Sequence, residues 1–315
     1  MKDNKLEKIV FGLLGQVAIN SNYNGDFSGT PAQHGDTWVA HDTVPKYSYK
    51  IEAQNRGKSI LGLKSTYIKK DNKGPEKICC RTQDETFEFK TGKEIKKLSD
   101  TERLNEFFKF DDIKQFGLAV PFAIQGVVQI NDAINVYDDT ELCEETILAP
   151  YASGSGKGQA TNGIRSYLDE AHFVHDFVIN PNNIKLYTDT YGDEFAYTEE
   201  NYEEFKDIIT CCVTNYNSKT KMGCSNEFAL FIEMKDLLHG NMVGTLNRLV
   251  EVTKDEEDMV VIDLSKVITQ LEKIKDYIDK IEIQFDPYCT KVNFPMEFKS
   301  IKLIDIISKE EIKHE

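Results

Sequence analysis

Residues 8 to 19 are apolar but for Lys8 and Gln16, and they stop at Asn20-Ser21-Asn22-Tyr23-Asn24-Gly25-Asp26. A run this short, closed by so dense a turn signal, reads as a buried opening strand. The N–H and C=O groups of a buried strand need partners, so the chain must fold around a sheet. Further along, Phe116 to Ile130, Ala171 to Ile179 and Phe228 to Met234 also have strand character. Three helices are expected between and after them. Tyr47 to Leu63 follows a first-turn proline, Pro45. Thr198-Glu199-Glu200 opens a helix reaching about Asn215, with acids in its first turn. Leu264 to Ile281 carries apolar residues at helical spacing. Residues 64–110 differ in character. They are rich in lysine and turns, with strand-like runs at Glu76 to Arg81 and Thr86 to Lys90, and read as an inserted subdomain. Within them, Ser99-Asp100-Thr101-Glu102 is a capping box for a short helix ending near Phe108. Ala152-Ser153-Gly154-Ser155-Gly156-Lys157-Gly158 has the composition of a loop. The fold class this pattern predicts is α+β on a ferredoxin-like core.

Charge is distributed unevenly. The 315 residues carry a net charge of -15, which by itself argues against a nucleic-acid partner. Yet Thr43 to Arg81 holds ten Lys or Arg against three Asp or Glu, while Thr82 to the end holds 25 against 45. Screening limits the reach of distant acids to about one Debye length, roughly 10 Å at 0.1 M salt. A basic segment on an acidic body can therefore still hold a phosphate backbone. The longest apolar stretches, Ile9 to Leu14 and Phe228 to Ile232, are too short to span a bilayer. Neither a membrane association nor a secretory signal is expected, and the chain is expected in the cytoplasm. Seven cysteines, two adjacent pairs among them and no CxxC, read as buried reduced thiols.

Several motifs suggest chemistry the surrounding residues do not support. Asp169-Glu170-Ala171-His172 spells a helicase box, but no GxxxxGK[ST] phosphate loop precedes it; Gly154 to Gly158 has Gly158 where Ser or Thr should stand. His172 and His175 lie near Asp169, Glu170 and Asp176, but positions i and i+3 of a strand face opposite ways, so structural or RNA-facing roles fit better than a metal site. Asp26, His34, Asp36, His41 and Asp42 share the first loop, where Asx turn chemistry accounts for Asn24-Gly25-Asp26. No catalytic constellation, metal site or cofactor is expected.

Taken in order, several blocks resemble the backbone subunits of Cascade-type complexes in the RAMP superfamily, most closely the subtype I-B form. They are the opening strand with Asn20 to Asp26; His41 to Lys50; Asp111 to Gly117 followed by Ile124 to Ile130; Asp169 to Pro181; and Tyr216 to Asn226. Two departures stand out. Gly126-Val127-Val128-Gln129 replaces Gly-Pro-Val-Gln, and Thr30-Pro31-Ala32 lacks an arginine after the proline. The resemblance implies a hand. Its palm, a modified RNA-recognition fold, would comprise residues 1–63, 111–134 and 168–315, the last with a C-terminal helix. Fingers would span 64–110 and a thumb hairpin 135–167. It also implies a non-catalytic subunit that polymerises along crRNA, joins other Cascade subunits and presents the guide to target DNA. Under it, Asn20, Lys46, Tyr49, Lys50, Arg56, Lys157, Arg165, Lys219, Lys221 and Asn226 would contact RNA, chiefly at phosphates, which position a strand without reading its sequence. Two alternatives remain open: an RNA-cleaving subunit using Asp26 or Asp36, as in type III complexes, and an acidic interaction module unrelated to nucleic acid.

Overall fold

A computed structural model of the chain describes residues 5–21, 32–34, 37–40, 92–108, 111–118, 123–131, 133–148, 162–214, 224–239, 243–295 and 301–312. The strands are β1 (Val10–Ser21), β2 (Ala32–His34), β3 (Thr37–Ala40), β4 (Gly117–Leu118), β5 (Ile124–Gln125), β6 (Val128–Ile130), β7 (Ala133–Asn135) and β8 (Leu142–Leu148). They continue as β9 (Asn162–Ile179), β10 (Cys224–Met234), β11 (Glu251–Lys254), β12 (Val260–Asp263), β13 (Ile278–Phe285), β14 (Thr290–Asn293) and β15 (Ile301–Asp305). Helices α1 (Gly92–Lys97), α2 (Asp100–Phe107) and α3 (Asp111–Phe116) precede β4; α4 (Lys185–Tyr191) and α5 (Glu199–Ile209) follow β9; α6 (Ser265–Glu272) follows β12. The result is a mixed α/β protein with a large sheet and few helices.

Ten strands form that sheet in the order β15-β13-β10-β1-β9-β7-β3-β2, with β6 and β8 also paired to β9. β11, β12 and β14 form a second, three-stranded sheet. β1 is central because both its faces are covered. Val10, Leu14 and Ala18 belong to a core with Phe173, Phe177, Phe231 and the α5 residues Tyr202, Phe205, Ile208 and Ile209. Ile9 and Leu13 belong to another, with Val174, Leu230 and Ile283 and the α6 residues Val267, Ile268 and Leu271. A strand buried on both faces shows no polar alternation, which is what residues 8–19 display.

α2 and α5 begin where the capping residues place them. The Ser99 hydroxyl accepts from the Glu102 N–H while the Glu102 carboxylate accepts from the Ser99 N–H; Thr198 and Asn201 exchange the same pair of bonds. Elsewhere the structure departs from the pattern. The helical spacing of Leu264 to Ile281 is real only as far as Glu272; a 3-10 turn at Lys275–Tyr277 follows, and Ile278 and Ile281 lie in β13 opposite Met234 and Ile232. Without β13 the backbone groups along that edge of β10 would lack strand partners, and β13 supplies them. Phe116 to Ile130 is not one strand. Phe116 ends α3, Gly117 turns the chain at φ +78°, and β4, β5 and β6 are short. α5 stops at Ile209, short of Asn215. β9 runs nine residues earlier than expected, from Asn162.

Candidate nucleic-acid interface

β1 pairs with β9 from Val10 opposite Ile179 to Ser21 opposite Leu168. Beyond Leu168, among the described residues, β9 pairs only with β8, from Leu142 opposite Leu168 to Leu148 opposite Asn162. The β8–β9 pair is thus a two-stranded arm that overhangs one end of the sheet. β1 ends there and β10 begins there, with Ala18 opposite Cys224. Asn20 sits at this end, exposed, with φ +49°, a left-handed conformation that asparagine tolerates better than most residues.

Asn226 lies two residues into β10 at the same end, and its amide is engaged within the fold. Nδ2 donates to the Ile209 carbonyl at 2.8 Å, and Oδ1 accepts from the Val213 N–H at 3.0 Å and the Thr214 N–H at 3.2 Å. These bonds satisfy the C-terminal end of α5 and explain why the helix stops early. They also fix Thr214, after which the chain enters the segment holding Lys219 and Lys221. Arg165 stands on the arm opposite Glu145. Lys46, Tyr49, Lys50, Arg56, Lys157, Lys219 and Lys221 lie outside the described residues, as do Asp26, Asp36, His41 and Asp42. The topology therefore brings Asn20, Asn226 and the Arg165 strand to one end of the sheet.

A cleft opens at the foot of the arm, walled by Val17, Ile19, Glu170, Asn226, Glu227 and Lys309, among others. Lys309 donates to Thr210 Oγ1 at 2.6 Å and to Gln284 Oε1 at 3.2 Å, and burial pulls its pKa down. Glu170, Asp207, Glu227 and Asp286 also line the cleft, so its described wall is acidic and offers no phosphate cradle of its own.

The two histidines are both fully buried and face opposite cores. His175 Nδ1 lies 2.8 Å from the Asn131 carbonyl. His172 is held on every side. Nδ1 is 2.8 Å from Glu227 Oε1 and Nε2 is 3.2 Å from Glu170 Oε1. The Tyr137 ring meets it edge-on at 4.9 Å between centroids. Lys254 of β11 reaches Glu170 Oε2 at 2.7 Å. Burial pulls the His172 pKa down, but the charges and hydrogen bonds of Glu227 and Glu170 outweigh it and the pKa is raised. Sequence spacing shows only the Glu170 and His172 part of this cluster; Glu227 of β10 and Lys254 of β11, a strand of the second sheet, are brought to it by the fold. The helicase-like Asp169-Glu170-Ala171-His172 is strand interior, and Asp169 accepts the Glu141 N–H at 2.7 Å. Among the described residues no group of three or more His, Cys, Asp or Glu side chains is arranged to hold a metal ion, and no helix is long and apolar enough to cross a membrane. Cys212 and Cys224 are buried thiols, whereas Cys289 is exposed.

A large, mostly antiparallel sheet with few helices and a two-stranded overhang defines the class of fold. The chain matches the family described as CRISPR-associated protein Cas7 over residues 8–284, and it belongs to that family. Solved chains of CRISPR surveillance complexes are similar to it, among them the following two. A chain of a "CRISPR RNA-guided surveillance complex" is 11% identical with a TM-score of 0.45, covering 90% of this chain and 94% of the other. A chain of a "CRISPR RNA-guided surveillance complex, pre-nicking" is 14% identical with a TM-score of 0.46, covering 91% and 96%. No curated protein matches.

Proposed function

We propose that this chain is a non-catalytic crRNA-binding backbone subunit of a CRISPR interference complex. It polymerises along the guide RNA, contacts other Cascade subunits and holds the guide for pairing with target DNA. The observation that carries this reading is family membership over residues 8–284. The topology supports its finer parts. The order β10-β1-β9-β6, antiparallel throughout and with α5 between β9 and β10, suits a ferredoxin-like palm of the RNA-recognition kind. The β8–β9 arm falls within the span 135–167 that a thumb hairpin would occupy. Helices α1 and α2 fall in the 64–110 span assigned to fingers. Lys46, Lys50, Arg56, Lys157, Arg165, Lys219 and Lys221 take phosphate contacts in this reading, with Tyr49 stacking on a base and Asn20 also contacting the RNA. Holding phosphates without reading bases suits a guide carrier, because base pairing supplies the specificity. The subtype I-B assignment and a cytoplasmic site of action belong to the same proposal.

Purifying the chain from cells and measuring absorbance at 260 and 280 nm tests RNA binding directly. Co-purifying RNA of uniform length is expected, and nucleic-acid-free protein that ignores added single-stranded RNA would overturn the reading. Incubation of the loaded complex with matched RNA and magnesium tests the non-catalytic part. Intact RNA is expected; regularly spaced fragments, lost in Asp26→Ala or Asp36→Ala, would make the chain a ribonuclease.

A further inference from the structure

His172 sits where the overhanging arm is rooted, and its contacts converge from every element that meets there. Its backbone carbonyl accepts the Val136 N–H at 2.9 Å and its N–H donates to Asn135 Oδ1 at 3.0 Å. Asn135 also donates to Thr140 Oγ1 at 2.8 Å and to the Tyr137 carbonyl at 3.1 Å, so the 135–140 turn leading into β8 is tied to this residue. The ring reaches the opposite way, to Glu227 beside the β1–β10 register shift, and along β9 to Glu170. Glu170 in turn holds Lys254 of β11, which lies 3.4 Å from Asp258. The charged and titratable groups around the ring are thus Glu227 from β10, Glu170 from β9, Tyr137 from the turn, and Lys254 with Asp258 beyond Glu170.

A neutral imidazole has one N–H donor and one acceptor, whereas both ring nitrogens here face carboxylate oxygens. Only the imidazolium satisfies both. Losing the proton sets a lone pair against a carboxylate and leaves buried charge without its counter-ion, a costly arrangement. Glu170 and Glu227 line the open cleft at the foot of the arm, which gives protons a route to the ring.

We propose that His172 is a positioning residue whose imidazolium clasps Glu227 of β10 and Glu170 of β9 and seats the Tyr137 ring of the 135–140 turn, through which it sets the pose of the β8–β9 arm and makes the grip on single-stranded RNA depend on its charge. This rests on the RNA-holding reading above and adds a regulated element to it. The direction is fixed by linkage. The partners raise the ring's folded pKa; the clasp is therefore complete below the ordinary histidine value and is lost as pH rises through the raised one.

The experiment uses the full chain, one unstructured RNA oligonucleotide and constant ionic strength, over about pH 6 to pH 9. Wild-type affinity should fall by about tenfold as the ring titrates, equivalent to one pKa unit of coupling. Reciprocity requires bound RNA to raise the His172 pKa, read by ring-carbon NMR on labelled histidine, by the same factor. The double variant His172→Gln with Glu227→Gln removes both charges and keeps a hydrogen-bonding pair, so it stays folded if Glu227 alone made the single variant collapse. Its affinity should match the wild type at high pH and lack the rise at low pH. Parallel pH profiles for wild type and double variant, or a His172 pKa unmoved by RNA, would overturn the clasp while leaving RNA binding intact. No RNA binding at any pH would overturn both readings.

Discussion

Gly12 occupies a tight point of the sheet, between β9 and β10. A Cβ there would lie 2.1 Å from Phe177 Cζ and 2.2 Å from the Leu230 carbonyl oxygen, and backbone cannot step aside as a flexible side chain can. Gly12→Ala is therefore expected to destabilise the fold by at least the ~1–3 kcal/mol usual for overpacking. A urea titration followed by tryptophan-independent far-UV signal checks this, and an unchanged midpoint would mean that β1 and β10 are not in this register. The His172 cluster makes a second residue-scale claim, on stability alone. Its pKa is raised in the fold, so the stability it contributes is complete below about pH 6.5 and disappears as pH rises through the folded value. The difference in thermal midpoint between wild type and His172→Gln should shrink from pH 6 to pH 9. A constant difference would show that folding does not raise the ring's pKa. His172 stands out in the chain through its helicase-like motif, but its charged partner on β10 does not, and Gly12 does not stand out. A glycine in an apolar run signals close approach without saying to what, and Glu227 lies 55 positions from His172.

At the scale of elements, what the chain displays locally was legible and what depends on partners was not. The capping boxes at Ser99 and Thr198 are satisfied within four residues, and both helices start where those residues require. Thr198→Ala should cost about 1 kcal/mol and Thr198→Ser much less; equal losses in the two variants, measured by chemical denaturation, would exclude the cap as the cause. Helix ends are not legible locally because long-range contacts set them. α5 ends at Ile209 since Asn226, on β10, supplies the acceptor and donor that finish it. The boundary of α6 failed for a related reason. Ile274, Ile278 and Ile281 keep helical spacing, but β10 presents an open edge, and an isoleucine-rich segment fits a strand as readily as a helix. Asn226→Ala should unravel the exit of α5 and, because that exit carries the segment with Lys219 and Lys221, weaken RNA binding beyond its effect on the thermal midpoint. A loss of affinity no larger than that of an equally destabilising core variant such as Ile208→Val would show that the cap matters only to stability.

Across the whole molecule the decisive quantity is where the charge lies. Described cations such as Lys8, Lys206 and Lys280 are spent on buried or half-buried carboxylates: Lys8 lies 2.6 Å from Glu233, Lys280 lies 2.6 Å from Glu282, and Lys206 lies 3.6 Å from Glu282. They hold α5 and the N-terminal segment to the sheet and are not available to phosphate. In the proposed reading binding comes instead from the basic stretch between Thr43 and Arg81, with Lys157, Arg165, Lys219 and Lys221, against a body whose net charge is -15. Two models of such a chain differ in their salt response. If the acidic body set the affinity, RNA would be repelled, and added salt would strengthen binding by screening. If the local cations set it, salt weakens binding through counterion release, with a slope of log K on log[salt] near -3.5 for about five neutralised phosphates of a single strand. Lys46→Glu with Lys50→Glu should lower affinity alike for unrelated sequences and flatten that slope by about 1.4, two phosphates' worth. Fluorescence anisotropy with two unrelated oligonucleotides over a salt series measures both quantities. A slope of zero or of opposite sign, or a loss confined to one sequence, would place the RNA-holding surface somewhere other than this basic stretch.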